Sequence, residues 1–269
     1  MTALLNLGCG ARFHPDWTNL DLKPAAPMVK QWDLGKQLPY PAGSFDVAYH
    51  SHVLEHFSRE AGQRLLRECW RVLRTGGILR IAVPDLEQIA RLYLEALDKS
   101  VAGDRAWQDR YNWMLLEMYD QTVRESSGGE MFAYLNLDPM PEQDFVLSRM
   151  GVELLRARAP KFTGPPEEGD NERQSFLNAV KQRMARFSLG SEGIREREVG
   201  AFRLSGEAHR WMYDRYSLAR ALEDAGFSAP RKMAAAESAI PGWVDFHLDT
   251  EPDGSVYKPD SLFMEATRP

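Results

Sequence analysis

Short apolar runs alternate with glycine- and proline-rich turns over the first 85 residues. Each run has the length of a buried strand, and the first, Leu4 to Leu7, ends in Gly8-Cys9-Gly10. Residues 59–73 instead carry apolar side chains at the spacing of an amphipathic helix, which Gly76-Gly77 ends. Strands alternating with helices predict a mostly parallel α/β sheet. Its predicted strands are residues 4–7, 18–22, 29–33, 45–49 and 78–83.

The strand signal stops near residue 100 and returns near residue 207. Between these positions the periodicity predicts helices over about 104–124, 142–158 and 171–187. Sheet character then resumes, with a helix over 217–225 that Gly226 ends and strands over 231–236, 243–248 and 261–266. We therefore predict a Rossmann-like domain formed by residues 1–99 and 207–269, interrupted by a helical insertion over 100–206.

Composition narrows the class of protein. The 269 residues are 43% apolar, enough for a sizeable core, and no apolar run approaches the roughly 20 residues of a membrane span. The net charge of −6 argues against nucleic acid as a partner. Two cysteines suggest no disulfide framework, and the N-terminus passes directly into a strand without a signal peptide. A cytoplasmic protein is the expectation.

The glycine turn after the first strand is the first candidate for chemistry. Glycines let the backbone approach a ligand closely, and an acid that ends the next strand, here Asp21, can accept the hydroxyl protons of a ribose. Phe13 stands where a nicotinamide fingerprint has its third glycine, and Asp21 follows Gly8 by only 13 residues. Nicotinamide binding is therefore disfavoured. Asp21 as the cap of a local turn remains an alternative.

Several motifs in order carry a resemblance to a known family. The chain resembles class I S-adenosylmethionine-dependent methyltransferases, and more closely a group of bacterial predicted methyltransferases associated with glycan and cell-surface polysaccharide assembly. The resemblance covers about residues 3–95 and 205–269, and it implies a seven-stranded sheet whose last strand is antiparallel. The motifs are Leu5-Asn6-Leu7-Gly8-Cys9-Gly10, Asn19-Leu20-Asp21-Leu22, Phe45-Asp46-Val47-Ala48-Tyr49, Ser51-His52-Val53-Leu54-Glu55-His56 and Val72-Leu73-Arg74-Thr75-Gly76-Gly77.

The resemblance also implies a cofactor site for S-adenosylmethionine. Gly8 and Gly10 would lie beneath the methionine part of the cofactor, and Asp21 would hold the ribose hydroxyls. The adenine would be bordered by Asp33 and Leu34. The expected cofactor-binding set is Leu7, Gly8, Cys9, Gly10, Asp21, Leu22, Asp33, Leu34 and Ser51. The first crossover is shorter than the family's, which leaves the binding of the methionine carboxylate undefined.

A histidine-rich segment suggests a different chemistry. Residues 52–56 match the H-x-x-E-H pattern of a zinc hydrolase, in which His52 and His56 would share a metal from one face of a helix. That scheme needs a distant third ligand and gives the glycine turn no role. Because the methyltransferase resemblance accounts for the same segment, no metal is predicted.

The predicted function is methyl transfer to a hydroxyl of a saccharide or other small acceptor. A hydroxyl acceptor benefits from a general base, for which His52, His50 and Asp85 are the candidates, whereas a carboxyl acceptor would need none. The insertion could form an acceptor lid, and Trp107, Tyr111, Trp113 and Tyr119 could stack on a sugar or pack in a core. A non-catalytic cofactor-binding module is the alternative from another class.

Overall fold

A computed structural model describes residues 2–151 and 192–269. Its centre is a seven-stranded sheet, whose strands are β1 Leu4–Leu7, β2 Thr18–Asp21, β3 Val29–Gln31, β4 Phe45–Ser51, β5 Leu73–Pro84, β6 Ser228–Met233 and β7 Ser261–Thr267. The α-helices are α1 Arg59–Val72, α2 Leu86–Val101, α3 Arg105–Leu115, α4 Gln121–Val123, α5 Gly129–Leu135, α6 Gln143–Met150, α7 over 192–204 and α8 Arg215–Asp224.

The strand order is β3-β2-β1-β4-β5-β7-β6. The first five strands in that order pair in parallel, and β7 runs antiparallel between β5 and β6. This confirms the predicted fold class, a Rossmann-like sheet with an antiparallel last strand. The order reverses between β1 and β4, which is where open α/β sheets bind their ligands.

Apolar side chains cover both faces of the sheet. One face packs against α1 and α8 through a large cluster that includes Leu7, Leu66 and Leu222. The other face is covered by a smaller aromatic cluster that includes Trp17 and Trp243. The crossover from β1 to β2 contains no helix, as its length and Pro15 predict.

Two predicted C-terminal strands differ from the structure. The strand predicted over 231–236 begins earlier, because β6 is Ser228–Met233. The strand predicted over 243–248 is wrong: Trp243–Phe246 is a 3₁₀ helix, bounded by left-handed residues at Gly242 and His247. Val244, Phe246 and Leu248 alternate as in a strand, but Val244 is 46% exposed. Trp243 and Leu248 are buried because this turn packs on the sheet.

The described residues between β5 and β6 are helical. They have a second apolar cluster of their own, built on α2, α3, α5 and α6 around the fully buried Trp113. Trp107 and Tyr111 pack against the same cluster, which confirms core packing for three of the four aromatic residues, whereas Tyr119 is 55% exposed. The helix predicted over 104–124 corresponds to α3, a π-helical turn at Leu116–Asp120 and α4.

Part of the predicted insertion lies outside the described residues. The helix predicted over 171–187 falls there entirely, as does the second half of the one predicted over 142–158, whose first half is α6. No helix in the described ranges is long and apolar enough to cross a bilayer.

Candidate functional site

The predicted site residues meet along one edge of the sheet. Parallel strands end at a common edge, so the residues that follow β1, β2, β4 and β5 lie side by side there. The antiparallel β7 begins at this edge, which brings Ser261 to the same place. Sequence reasoning missed Ser261, although the predicted antiparallel last strand implied that its first residue would arrive here.

The glycine turn depends on both of its glycines. Gly8 and Gly10 have φ values of +63° and +52°, in the left-handed region that glycine occupies without steric cost. A Cβ on Gly8 would lie 2.4 Å from Val53 Cγ2, and Leu34 would be 3.5 Å away. A Cβ on Gly10 would meet nothing within 4 Å. The backbone is therefore packed against the protein at Gly8 and open at Gly10.

Asp21 ties the turn to the end of β2. One carboxylate oxygen accepts the N–H of Gly10 at 2.8 Å and the other accepts the N–H of Lys23 at 2.8 Å. The N–H groups of Gly8 and Cys9 are also used, since both donate to the carbonyl of Leu20. A carboxylate offers about four lone-pair sites, so Asp21 caps a local turn and still keeps acceptor capacity.

The other predicted cofactor residues border the same turn. Leu22 is 48% exposed directly after Asp21. Leu34 packs beside Gly8, while Asp33 accepts the N–H of Gly35 and remains half exposed. Leu7 is buried in the core beneath the turn. Ser51 is the last residue of β4, next to β5.

His52 occupies the turn that follows β4. Its φ is +53°, its N–H continues the sheet by donating to Ala82, and its Nε2 lies 2.8 Å from the Ser261 hydroxyl. Its Nδ1 lies 3.3 Å from Glu55 Oε1. The next element is a 3₁₀ turn at Leu54–His56, so His52 and His56 do not share the face of a regular helix as the H-x-x-E-H pattern requires.

A buried polar group lies directly behind His52. Glu55 and His50 are fully buried, and His209 arrives from the segment before α8. Burial lowers the pKa of His50 to about 4 and that of His209 to about 3, so both imidazoles are neutral at neutral pH. Burial raises the pKa of Glu55, but the neighbouring His52 imidazole outweighs it and lowers the pKa to about 2. Glu55 is therefore ionised.

Asp85 has a structural role at the end of β5. It is the N-cap of α2, where one oxygen accepts the N–H groups of Glu87 and Gln88. The other oxygen lies 3.4 Å from Lys232 Nζ. Side-chain caps of this kind satisfy the first N–H groups of a helix. Asp85 thus lies at the predicted edge with both oxygens engaged.

A cavity of about 480 Å³ opens between this edge and the helices that follow β5. His52, Lys258 and Asp260 form its wall on the side of the sheet, and the helices and their connecting loops contribute the rest. His50 is 0% exposed and does not line it. Among the described residues its lining combines charged, polar and apolar side chains: His52, Gln121, Arg124, Gly128, Met131, Phe132, Leu135, Met150, Glu207, Lys258 and Asp260.

Residues 5–81, which hold the glycine turn, Asp21 and His52, match the family model described as a methyltransferase domain. Over this segment the chain is similar to a methyltransferase domain. The match supports a class I S-adenosylmethionine-dependent methyltransferase whose cofactor is S-adenosylmethionine. No curated protein matches the chain in a sequence comparison.

Solved structures similar to the chain give weak matches. The [4+2]-cyclase SpnF is 25% identical over 30% of this chain and 38% of its own, with a TM-score of 0.26. A Haloferax volcanii complex with the Trm112 methyltransferase activator and an S-adenosylmethionine-dependent methyltransferase from Thermotoga maritima are each 12% identical. Both matches cover 100% of this chain and 83% of the other, with TM-scores of 0.39 and 0.38. These TM-scores are too low to support an argument.

Proposed function

We propose that this protein transfers a methyl group from S-adenosylmethionine to a hydroxyl of a small-molecule or glycan acceptor. The observation that carries the proposal is that the segment His52-Val53 contacts the glycine turn and also lines the cavity. Val53 packs against Gly8 of the glycine turn, and His52 lines the cavity. A cofactor at the turn and an acceptor in the cavity would therefore meet at this segment.

The proposed cofactor site consists of the glycine turn after β1 and the residues at the ends of β2, β3 and β4. Asp21 would accept the ribose hydroxyls with its remaining lone pairs, and the exposed Leu22 would cover an adenine edge together with Leu34. Because the N–H groups of Gly8, Cys9 and Gly10 already have acceptors, the glycines serve close backbone approach.

Methyl transfer requires mainly alignment, because the sulfonium donor is already activated. The acceptor oxygen forms a bond to the methyl carbon as the carbon–sulfur bond breaks, and S-adenosylhomocysteine leaves. The hydroxyl proton passes to a general base, for which we propose His52 Nε2. With its proton on Nδ1, beside Glu55, the ring has its lone pair on Nε2, which accepts the Ser261 hydroxyl at 2.8 Å and would accept the acceptor hydroxyl in its place.

The other two predicted bases are less suited to this role. His50 is fully buried within the sheet and has no access to the cavity. Asp85 already caps α2 and faces Lys232. His52 alone among the three lines the cavity.

The cavity supports a small amphipathic acceptor. Its apolar side chains, such as Met131 and Phe132, suit the carbon face of a ring, while Arg124, Glu207 and Asp260 suit hydroxyl groups. We propose a saccharide or another small hydroxyl compound on this basis. Both cysteines are free and buried, which is compatible with the proposed cytoplasmic setting.

Binding of S-adenosylhomocysteine tests the cofactor site by calorimetry. We expect Asp21→Ala to weaken binding by roughly 1.5–3 kcal/mol, the range for hydrogen bonds to a charged group. Asp104→Ala is the matched control, because Asp104 also accepts an N–H two residues ahead but lies at the start of α3. It should bind as the unmodified protein does, and NADH should not bind.

Equal affinity in the unmodified protein and Asp21→Ala would exclude the proposed ribose contact. Tight binding without turnover on any hydroxyl acceptor would favour the alternative, a non-catalytic cofactor-binding module. Acceptor screening with labelled S-adenosylmethionine separates these outcomes.

A further inference from the structure

Three side chains of the buried polar group behind His52 carry donor atoms that could bind one metal ion. One ligand atom from each of Glu55, His56 and His209 lies within 4.8 Å of the other two. Glu55 and His56 belong to the 3₁₀ turn after β4, whereas His209 lies more than 150 positions along the chain. The fold therefore assembles a compact set of donors from two distant segments.

Backbone hydrogen bonds hold the two segments together. The N–H groups of Arg210 and Trp211 both donate to the carbonyl of Glu55, at 2.7 and 3.2 Å. The N–H of His209 donates to the carbonyl of Gln121 at 2.9 Å. These bonds hold the backbone that carries the His209 side chain beside the turn that carries Glu55 and His56.

The donors themselves lack partners within the described part of the chain. Both carboxylate oxygens of Glu55 and the Nδ1 of His56 are buried there without a hydrogen bond. His52 Nδ1 approaches Glu55 Oε1 at 3.3 Å without the alignment of a hydrogen bond. A fully buried carboxylate without donors is costly, and a bound cation removes that cost.

We propose that Glu55, His56 and His209 bind one divalent transition-metal ion, with Zn²⁺ the best match. Two imidazoles and one carboxylate form a donor set typical of zinc, whereas Mg²⁺ and Ca²⁺ prefer oxygen ligands throughout. Three protein ligands leave a fourth position for water or another oxygen ligand. His52, beside Glu55, is placed to orient the carboxylate as a neighbouring group that does not itself bind the metal.

This site differs from the one suggested by the H-x-x-E-H pattern. That pattern pairs His52 with His56, but the structure groups His56 with the intervening Glu55 and the distant His209. None of the metal site's three ligands belongs to the glycine turn or to β2, although Glu55 also lies 3.3 Å from the proposed base His52. The metal site can therefore be tested without cofactor or acceptor.

Metal binding by the complete, purified chain provides the test. The protein is stripped with a chelator, then titrated with Zn²⁺ by calorimetry and with Co²⁺ by visible spectroscopy. We expect one ion per chain and the intense visible bands of four-coordinate cobalt. Glu55→Gln and His209→Asn should weaken binding at least tenfold. His247→Asn, which replaces an exposed histidine, should bind as the unmodified chain does.

A variant with a different metal-binding side chain at position 209 distinguishes loss of coordination from misfolding. His209→Cys should retain Co²⁺ and add a thiolate-to-cobalt charge-transfer band, which arises only if residue 209 coordinates the metal. The unmodified chain, with both cysteines elsewhere, should lack this band. Failure of the unmodified chain to take up Zn²⁺ or Co²⁺ would overturn the proposal, as would undiminished binding by His209→Asn or absence of the band in His209→Cys. Binding of S-adenosylhomocysteine to the same metal-free preparation reports separately on the proposed function.

Discussion

Cys9 is a free, buried residue between the two glycines of the turn. Burial, together with the negative charge of Asp21, raises the pKa of its thiol to about 11. Burial raises the pKa of Cys69 to about 12. Since the thiolate is the reactive form, both residues are packing groups at neutral pH.

Slow alkylation of both cysteines at pH 8 is the expected consequence. A thiol with a pKa near 8.5 is about a quarter ionised there, whereas one with a pKa of about 11 is ionised to about one part in a thousand. Iodoacetamide should therefore modify the native protein roughly 100-fold more slowly than the same protein in guanidinium, followed by mass spectrometry. For Cys9, the native rate should keep rising with pH towards 11. A native rate within threefold of the unfolded one would contradict the raised pKa values.

Sequence reasoning identified individual residues where the signal is local. Gly8, Gly10 and Asp21 are set by the strand ends that carry them, and the structure brings Leu34 to the same turn. The contact between His209 and the Glu55 segment could not be predicted in the same way. This contact depends on the path of the chain from the helical region to α8, and no local sequence pattern predicts that path.

At the scale of elements, a buried arginine joins the sheet to the loop before β7. Arg80 on β5 is fully buried and contacts Asp249 and Glu265, each at 2.8 Å. Its remaining N–H groups donate to the carbonyls of Ala234, Ala235 and Glu237. Tyr49 on the neighbouring β4 donates to the same Asp249 at 2.5 Å. One side chain thus fixes the path of the segment between β6 and β7.

Removing Arg80 should destabilise the fold. Arg80→Met leaves two buried carboxylates without their cation, and we expect a loss of about 3–5 kcal/mol in the free energy of unfolding. Arg91→Met is the control, because Arg91 makes an exposed ion pair with Glu87 on α2 and should cost less than about 0.5 kcal/mol. Urea denaturation followed by circular dichroism measures both. Equal midpoints for the two variants would show that the network contributes nothing.

The incorrect strand at 243–248 belongs to the same segment. Its apolar residues alternate as in a strand, but their burial comes from packing against the aromatic face of the sheet and from the Trp243 N–H donating to Ala235. Alternating apolar residues indicate that one side of a segment is buried, and a turn that packs on the sheet can be buried in the same way. The amphipathic helix predicted over 59–73 is confirmed as α1, but the prediction that Gly76-Gly77 ends it is wrong, because β5 begins at Leu73 and contains both glycines.

For the whole molecule, the cavity lies between two separate apolar cores. One core joins the sheet to α1 and α8, and the other joins α2, α3, α5 and α6. His52 stands on the side of the first core and Phe132 on the side of the second. Changes on the Phe132 side should therefore affect an acceptor while leaving the proposed cofactor contacts intact. The boundary of the insertion, predicted at 100–206, stays a prediction.

Phe132→Ala tests whether this side of the cavity affects the acceptor without affecting the cofactor contacts. Phe132 is 52% exposed, so its truncation should cost little stability, but it removes an aromatic face from the cavity. With a hydroxyl acceptor found by screening, we expect KM for the acceptor to rise roughly 5- to 20-fold, about 1–2 kcal/mol, with the Kd of S-adenosylhomocysteine unchanged. Tyr119→Ala is the matched control, since Tyr119 is 55% exposed in the same helical region and does not line this cavity. Equal KM values for the two variants would place the acceptor elsewhere. A loss of S-adenosylhomocysteine affinity in Phe132→Ala would show instead that the cavity and the glycine turn form one continuous site.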